Sequence, residues 1–337
     1  MPSRYATCLG ALLCLLIACS EACHGQDQSN LWHAVTWEND FIADDDSGYT
    51  NGIGYSWGYQ GFGSMRRSPL PDWLKLIGSP LPAYNDPTKQ HAISYRVAQA
   101  MFTPADIDVE ELIVEDRPYA GLLLWRASTH HFDHQLSQRY GLTLGVVGPA
   151  SGAEQVQNAI HQLIGVNQAE GWDHQLANEL VFALSTEQLR RMHQGNLSQK
   201  IEYDWILAGR ADAGTLHSEL GMGLGFRFGR NLDSSFAGAG IMPTRNPNPM
   251  TWSLRREWHT FINLYASYVF NDITLDGNTF KDSHAVTLIH EQLFVVLGFS
   301  YSEQNWGTTL SIQDGSNSFE EADENGLFAS FTYDWHW

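Results

Sequence analysis

The sequence predicts an all-β protein: a single twelve-stranded antiparallel outer-membrane β-barrel with one short amphipathic helix in an extracellular loop. Three observations carry that reading. At the C-terminus, Phe331, Tyr333, Trp335 and Trp337 alternate with polar residues, which puts four rings on one face of a closing strand. Upstream, short alternating runs recur along the chain and number twelve, an even count that a single-chain bacterial barrel requires. Finally, the N-terminus reads as an export signal, and no later stretch approaches the roughly 18 consecutive apolar residues of a transmembrane helix.

The first element is that signal. Arg4 supplies a positive start, the apolar run from Leu9 to Ala18 is too short to span a bilayer, and small residues follow as far as Gly25-Gln26. A signal peptide over 1–25 and a barrel domain over 26–337 result. Leu16-Ile17-Ala18-Cys19 also resembles a lipoprotein cleavage box, so lipidation at Cys19 stands beside ordinary cleavage. All four cysteines (Cys8, Cys14, Cys19 and Cys23) fall in this segment, which leaves the barrel without a disulfide framework or a thiolate metal site. Barrel closure is one way for an exported chain to be stable without disulfides. A net charge of −19 excludes nucleic acid as a partner and is compatible with divalent cations. Twelve Trp, 13 Tyr and 16 Phe, with only 17% charged residues, suit the aromatic girdles of a membrane barrel.

The strands are expected at 31–39, 51–62, 90–102, 119–131, 138–148, 173–186, 200–212, 216–228, 257–271, 285–301, 304–313 and 326–337. With both termini in the periplasm, the odd-numbered connections face outward, among them 40–50, 103–118 and 149–172. The even-numbered connections face the periplasm, and two of them, 63–89 and 229–256, are long for such turns. Pro69, Pro71, Trp73, Leu74, Leu76 and Ile77 in the first suggest a short amphipathic turn at the membrane surface.

The helix is expected at about 152–165. Ser151 and Glu154 stand at capping-box spacing, Val156, Ile160, Leu163 and Ile164 form an apolar stripe, and Gly165 stops it. His161 lies off the stripe, on a polar face with Glu154, Gln157 and Asn158.

Three polar clusters share the outward side: Glu38-Asn39-Asp40, Gly48-Tyr49-Thr50-Asn51-Gly52, and the helix with His161. The chemistry they suggest is hydrolysis. A neutral histidine can activate water, and Asp40 with neighbouring amide and hydroxyl oxygens offers hard ligands for Ca²⁺, which would polarise an ester carbonyl. No serine stands in a G-x-S-x-G elbow. Plainer readings exist for each feature alone. A histidine on a polar helix face is usually solvated, and Asp44–Asp46 lacks the EF-hand pattern. Asp116-Arg117-Pro118-Tyr119 reads either as a loop ion pair or as substrate rim. His130, His131 and His134 read as surface residues, and Gly221, Gly223 and Gly225 as close packing along a strand.

Trp37-Glu38-Asn39-Asp40, Gly48-Tyr49-Thr50-Asn51-Gly52, Asp116-Arg-Pro-Tyr-Ala-Gly121 and Gly145-Val-Val-Gly-Pro149 leading to Gln155-Val-Gln-Asn158-Ala-Ile-His161-Gln-Leu-Ile-Gly165 and Gly171-Trp172 together resemble one family. These are the outer-membrane lipid A 3′-O-deacylases, twelve-stranded barrels that remove acyl chains from lipid A. The resemblance implies a Ca²⁺-dependent ester hydrolase, monomeric and embedded in the outer membrane. Its site would face the exterior between barrel wall and helix, and its partner would be lipid A or lipopolysaccharide in the outer leaflet. His161 matches the family's catalytic histidine, Asn39 and Thr50 match further active-site positions, and Asp40 matches the calcium site. Two positions depart. The loop after the third strand reads Thr103-Pro-Ala-Asp-Ile-Asp-Val where the best-known members place a lysine, and Asn167 stands where they have an acid, an oxygen ligand without charge. Glu170 or Asp173 could supply the missing carboxylate. The alternatives are a non-enzymatic pore or structural barrel, and a barrel lipase with a Ser–His pair acting on another acylated lipid. A separation of about 8 Å or less between His161 and both Asp40 and Thr50 would favour the hydrolase.

Overall fold

A computed structural model describes residues 30–39, 48–165, 167–242, 256–322 and 327–337. The expected signal with its four cysteines, and Asp40 with the Asp44–Asp46 run, lie outside the described residues.

Twelve strands form one closed barrel in which each pairs antiparallel with its neighbours in sequence. They are β1 (Asn30–Asn39), β2 (Gly48–Phe62), β3 (Gln90–Thr103), β4 (Ala120–Phe132), β5 (Leu136–Val147), β6 (Glu179–Asn196), β7 (Glu202–Gly214), β8 (His217–Arg230), β9 (Glu257–Asp272), β10 (Glu291–Ser302), β11 (Trp306–Gly315) and β12 (Phe328–His336). β1 closes on β12, from Trp32 opposite His336 to Asn39 opposite Ala329. Most edges fall where the alternation places them, and two do not. Residues Gly171–His174 make a 3₁₀ turn, so β6 starts at Glu179 and its alternation runs on to Asn196. Residues 285–290 precede β10 as a loop, where Val286 and Leu288 pack against Leu275 and Phe319.

Alternation sorts the side chains. Val35, Trp37, Ile53 and Tyr55 are exposed on the outer wall, while Trp32, Ala34, Thr36 and Glu38 are buried in the lumen. Near the termini, outward rings follow one another around the barrel: Trp125, Tyr95, Trp57, Tyr55, His33, Trp335, Tyr333, Trp306 and Tyr301. Their successive centroids are 5.4–6.2 Å apart. Such a belt of amphipathic rings marks a membrane–water interface. Phe331 and Tyr333 of β12 stand on this wall, as their spacing predicts.

The two long connections at the terminal end have different tasks. Residues 63–89 hold a helix, α1 (Asp72–Gly78), and pack on the outside of the wall: Met65, Leu70, Leu74 and Tyr84 lie against Ile93, Tyr95 and Trp125. After β8 the chain instead turns into the lumen. Phe236, Ile241 and Met242 pack there against Leu189, Ile206, Phe261, Tyr265, Phe294 and Val296. Gly221 and Gly223 make room for this plug, because a side chain would run into Tyr265 at the first and Ile241 at the second.

Several of the charges that enter the lumen are paired. Arg191 and Arg227 both donate to Asp204, at 3.0 Å and 2.6 Å, and their guanidiniums lie over the Phe236 ring, 4.4 and 5.9 Å from its centroid. Farther along, Arg210 bridges Asp212 (2.6 Å) and Glu219 (2.9 Å), and Arg139 meets Glu187 at 2.7 Å. At the end away from the termini, Ile273 and Leu275 of a one-turn helix, α3 (Ile273–Asp276), are buried, and Arg117 lies over Phe102 while donating to Thr274. The carboxylate of Asp116 accepts the Ala105 amide at 2.8 Å, so the Asp116-Arg117 stretch holds loops together.

His130 and His131, expected at the surface, are buried. His130 faces the lumen and meets Ser94 at 2.8 Å. His131 faces outward but is covered by residues 63–89, its Nδ1 2.8 Å from Nδ1 of His91. Only His134 is exposed.

A filled lumen is not a pore, so reconstituted protein should show no steady single-channel conductance in planar bilayers. Asp204→Ala would leave two buried guanidiniums without their shared carboxylate. It should cost about 3–5 kcal/mol, read as a lower urea midpoint in micelles.

Candidate active site on the outer wall

Strand register assembles the site. Asn39 sits opposite Asn51, Asn51 opposite Met101, and Met101 opposite Gly121. This row crosses β1 to β4 at the end away from the termini. It lies two residues beyond the exposed Trp37 and Ile53, so it belongs to the outer wall. Between Tyr49 and Asn51 the β2–β3 register slips by one residue, and Thr50 is the extra residue of that bulge. Bulges of this kind end or re-aim a strand beside functional sites. The separation of His161 from Asp40 and Thr50 falls outside what the structure describes.

The helix α2 (Ala153–Ile164) docks on the same wall. The chain leaves β5 through Gly148 at φ 97° and a 3₁₀ turn, Pro149–Ser151. Gly152, at φ 69°, then caps the helix. Thus the expected Ser151–Glu154 capping box does not form. Ser151 lies one residue outside the cap, and its Oγ accepts the amide of Ala153 at 3.3 Å. Gly121 lets Ser151 and Ala153 rest on the strand, since any side chain there would collide with both. Gln99 reaches up from β3 to donate to the Ser151 carbonyl at 2.7 Å. Ala153, Met101, Tyr119, Ala169 and Trp172 form a small buried core, and Val156 and Ile107 pack at its edge. Gly165, at φ 78°, ends the helix with its amide on the His161 carbonyl, as its position predicts.

Gln157 does not share a solvated face with His161. It is buried, and its Oε1 accepts the Trp172 indole N–H at 2.7 Å. The docked face of α2 thus includes Ala153, Val156 and Gln157, so a buried amide joins the first residue of the apolar stripe. Burial pushes the phenol of Tyr119, beneath the same helix, up to about 12, so it remains a neutral hydroxyl.

His161, part-exposed near the end of α2, meets the backbone carbonyl of Asn167 through Nδ1 at 2.5 Å. A carbonyl only accepts, so Nδ1 carries the proton and Nε2 keeps a free lone pair. The Asn167 side-chain amide donates in turn to both oxygens of Asp108, at 3.1 and 3.2 Å. The amide of Glu170 donates to the Ile107 carbonyl at 2.9 Å, which fastens the chain after α2 to the loop after β3. The carboxylate that meets position 167 is thus Asp108, where the sequence points to Glu170 or Asp173. Its signal was the acidic run Asp106-Ile-Asp108 in place of a lysine. Among the described residues, no three His, Cys, Asp or Glu side chains converge as a metal cluster. Asn39 and Asn51, cross-strand partners on the row beside α2, add side-chain amides at this end of the barrel.

Comparison with protein families matches residues 9–337 to the family described as outer membrane protein LpxR. Among solved structures, LpxR from Salmonella typhimurium is similar at a TM-score of 0.74 and 18% identity, over 90% of this chain and 99% of that one. The β-domain of the Bordetella autotransporter BrkA scores 0.42 at 9% identity over 92% of this chain and 99% of its own, too low to bear on function. Curated protein sequences give no significant match. The family match spans nearly the whole chain, and the 0.74 structural likeness rests on the same closed twelve-stranded fold: the chain belongs to the outer membrane protein LpxR family.

Proposed function

We propose that this protein is an outer-membrane esterase that hydrolyses an acyl ester of lipid A, the 3′-acyloxyacyl group, with a water activated by His161. The observation that carries the proposal is the position and tautomer of His161. Its Nδ1–H is held by a main-chain carbonyl, which leaves Nε2 as a base. Its helix is clamped on the lipid-facing wall instead of inside the lumen. A substrate held in a leaflet by its own acyl chains reaches such a site sideways. With both termini in the periplasm, that leaflet is the outer one, where lipopolysaccharide resides.

In the reaction, Nε2 of His161 takes a proton from water while the water oxygen bonds to the ester carbonyl carbon. The tetrahedral species then collapses, the ester C–O bond breaks, and the departing alkoxide recovers the proton from Nε2. A carboxylic acid and an alcohol result, and the acid releases its proton to solvent to leave as the carboxylate. Asn39 and Thr50, at the adjoining strand ends, orient the ester. Asp40, with the amide oxygens of Asn39 and Asn167, would hold Ca²⁺, a hard cation that takes carboxylate and amide oxygens. When bound, the cation supplies positive charge for the carbonyl oxygen. Asp108 acts through Asn167: it anchors the residue whose carbonyl fixes the His161 ring.

Asp106 and Asp108 add negative charge beside the site, which favours a substrate carrying no phosphate at that point. A lipase acting on another acylated lipid therefore stands second.

Expression in a Gram-negative host followed by mass spectrometry of lipid A tests the first reading. Loss of an acyloxyacyl mass is expected, and His161→Ala should lower that activity at least about 100-fold while the barrel still folds. Unchanged lipid A together with hydrolysis of glycerophospholipid would select the second reading. Chelation with EGTA should abolish turnover, and added Ca²⁺ should restore it. Asp108→Ala should lower kcat about 3- to 10-fold with KM nearly unchanged, the worth of one hydrogen bond that aligns the base.

A further inference from the structure

The outer wall of β2 to β5 near the termini is unlike the rest of the barrel exterior. His91 and His131 point outward there, in line with Ile93 and Tyr95, and both are fully buried. These imidazoles lie on the terminal side of the belt rings Tyr95 and Trp125, and once buried they need partners as well as cover. The segment after β2 provides both. Tyr84 presents its ring edge to His131, and the Asp86 carbonyl meets His91 Nε2 at 3.1 Å. Lys89 reaches Asp133 at 2.7 Å, closing the lower border.

The same segment lies over the ring belt. Leu74 of α1, with Met65, Leu70 and Tyr84, rests on Tyr95 and Trp125, and Trp57 packs alongside. These three rings belong to the continuous belt that runs on through Tyr55 and His33 to Trp335. Elsewhere the belt faces outward uncovered. Over these strands α1 takes its place, at the same height and one layer farther out. The side of α1 turned away from the barrel is apolar: Trp73, Leu76 and Ile77 are 47%, 76% and 55% exposed. Arg66 and Arg67 precede it, exposed, in a chain that is otherwise strongly acidic.

We propose that residues 64–85 form a half-collar immersed in the phospholipid leaflet at the terminal end of the barrel. Trp73, Leu76 and Ile77 sit among the upper acyl chains, and Arg66 and Arg67 face the headgroup phosphates. Continuity with the lipid-facing belt identifies the occupant. A face that extends a membrane interface outward at the level of its own rings meets what the rings meet. The collar also explains why a chain crossing between two adjacent strands spends 27 residues on the turn, the span from 63 to 89. It covers two outward histidines and carries a replacement interface on its far side. The proposal rests on the barrel being a membrane protein and is independent of the hydrolase reading.

The test uses the full-length protein in nanodiscs of phosphatidylcholine and phosphatidylglycerol, with bromine on the acyl chains either near the headgroup or near the chain end. The Trp73 signal is the fluorescence of wild type minus that of Trp73→Phe, with folding of both checked by heat-modifiable migration. Bromine near the headgroup should quench that signal about twofold or more, bromine near the chain end less, and aqueous iodide hardly at all. A second measurement uses Leu76→Asp/Ile77→Asp, which should lower the unfolding midpoint in nanodiscs more than in detergent micelles. A Trp73 signal quenched by iodide and untouched by bromine would overturn the proposal by placing the helix in water. Protection from both quenchers, with crosslinked dimers, would overturn it in favour of a second copy on this face.

Discussion

Closure of β1 on β12 is the constraint on which the rest depends. In hydrocarbon an unpaired backbone amide costs several kcal/mol, and a strand barrel avoids that cost only when no edge remains open. Once the ring is closed, every strand residue is assigned to the lumen or to the wall. Trp32, Thr36 and Glu38 have to find company inside, and Trp37, Ile53 and Tyr55 are left to face lipid. The plug after β8 and the charge clusters around Asp204 and Arg210 are consequences of the first assignment. The ring belt and the collar over β2–β5 follow from the second.

The same division decides which surface the proposed chemistry can use. An enzyme that worked on a soluble molecule could use the lumen, but here the lumen is occupied by Phe236, Ile241, Tyr265 and paired arginines. The outer wall offers the remaining surface, and glycine at position 121 allows a helix to lie on it. A row of residues crossing four strands then ends beneath that helix. The polar groups are presented where an amphiphile already sits.

Much of this could be read in the residues themselves. Period-two alternation gave the strands and their number, and the C-terminal rings gave the outward face, because both depend on local spacing alone. Gly165 and the amphipathic stripe gave the helix. What escaped depends on contacts between distant segments. Ser151 looks like a cap until Gly152 adopts φ 69° and takes that place. Gln157 looks solvated until Trp172, fifteen residues later, folds over it. His131 looks exposed until the turn after β2 covers it. Asp108 carried no signature beyond a change of sign in its loop, since its partner Asn167 is 59 residues away. The fate of the two long terminal turns was equally hidden. Nothing in their composition says which enters the barrel and which lies outside.

The acceptor for His161 is an atom that every residue possesses. A carboxylate in that role would be lost by a single substitution, and the ring would turn with it. A main-chain oxygen is untouched by the identity of the side chain that bears it, provided the turn from Gly165 to Ala169 keeps its course. Position 167 is thereby released from supplying charge to the histidine, and its side chain is free to form a tie to a neighbouring loop. One residue thus serves twice, its main chain holding a ring and its side chain fastening a loop.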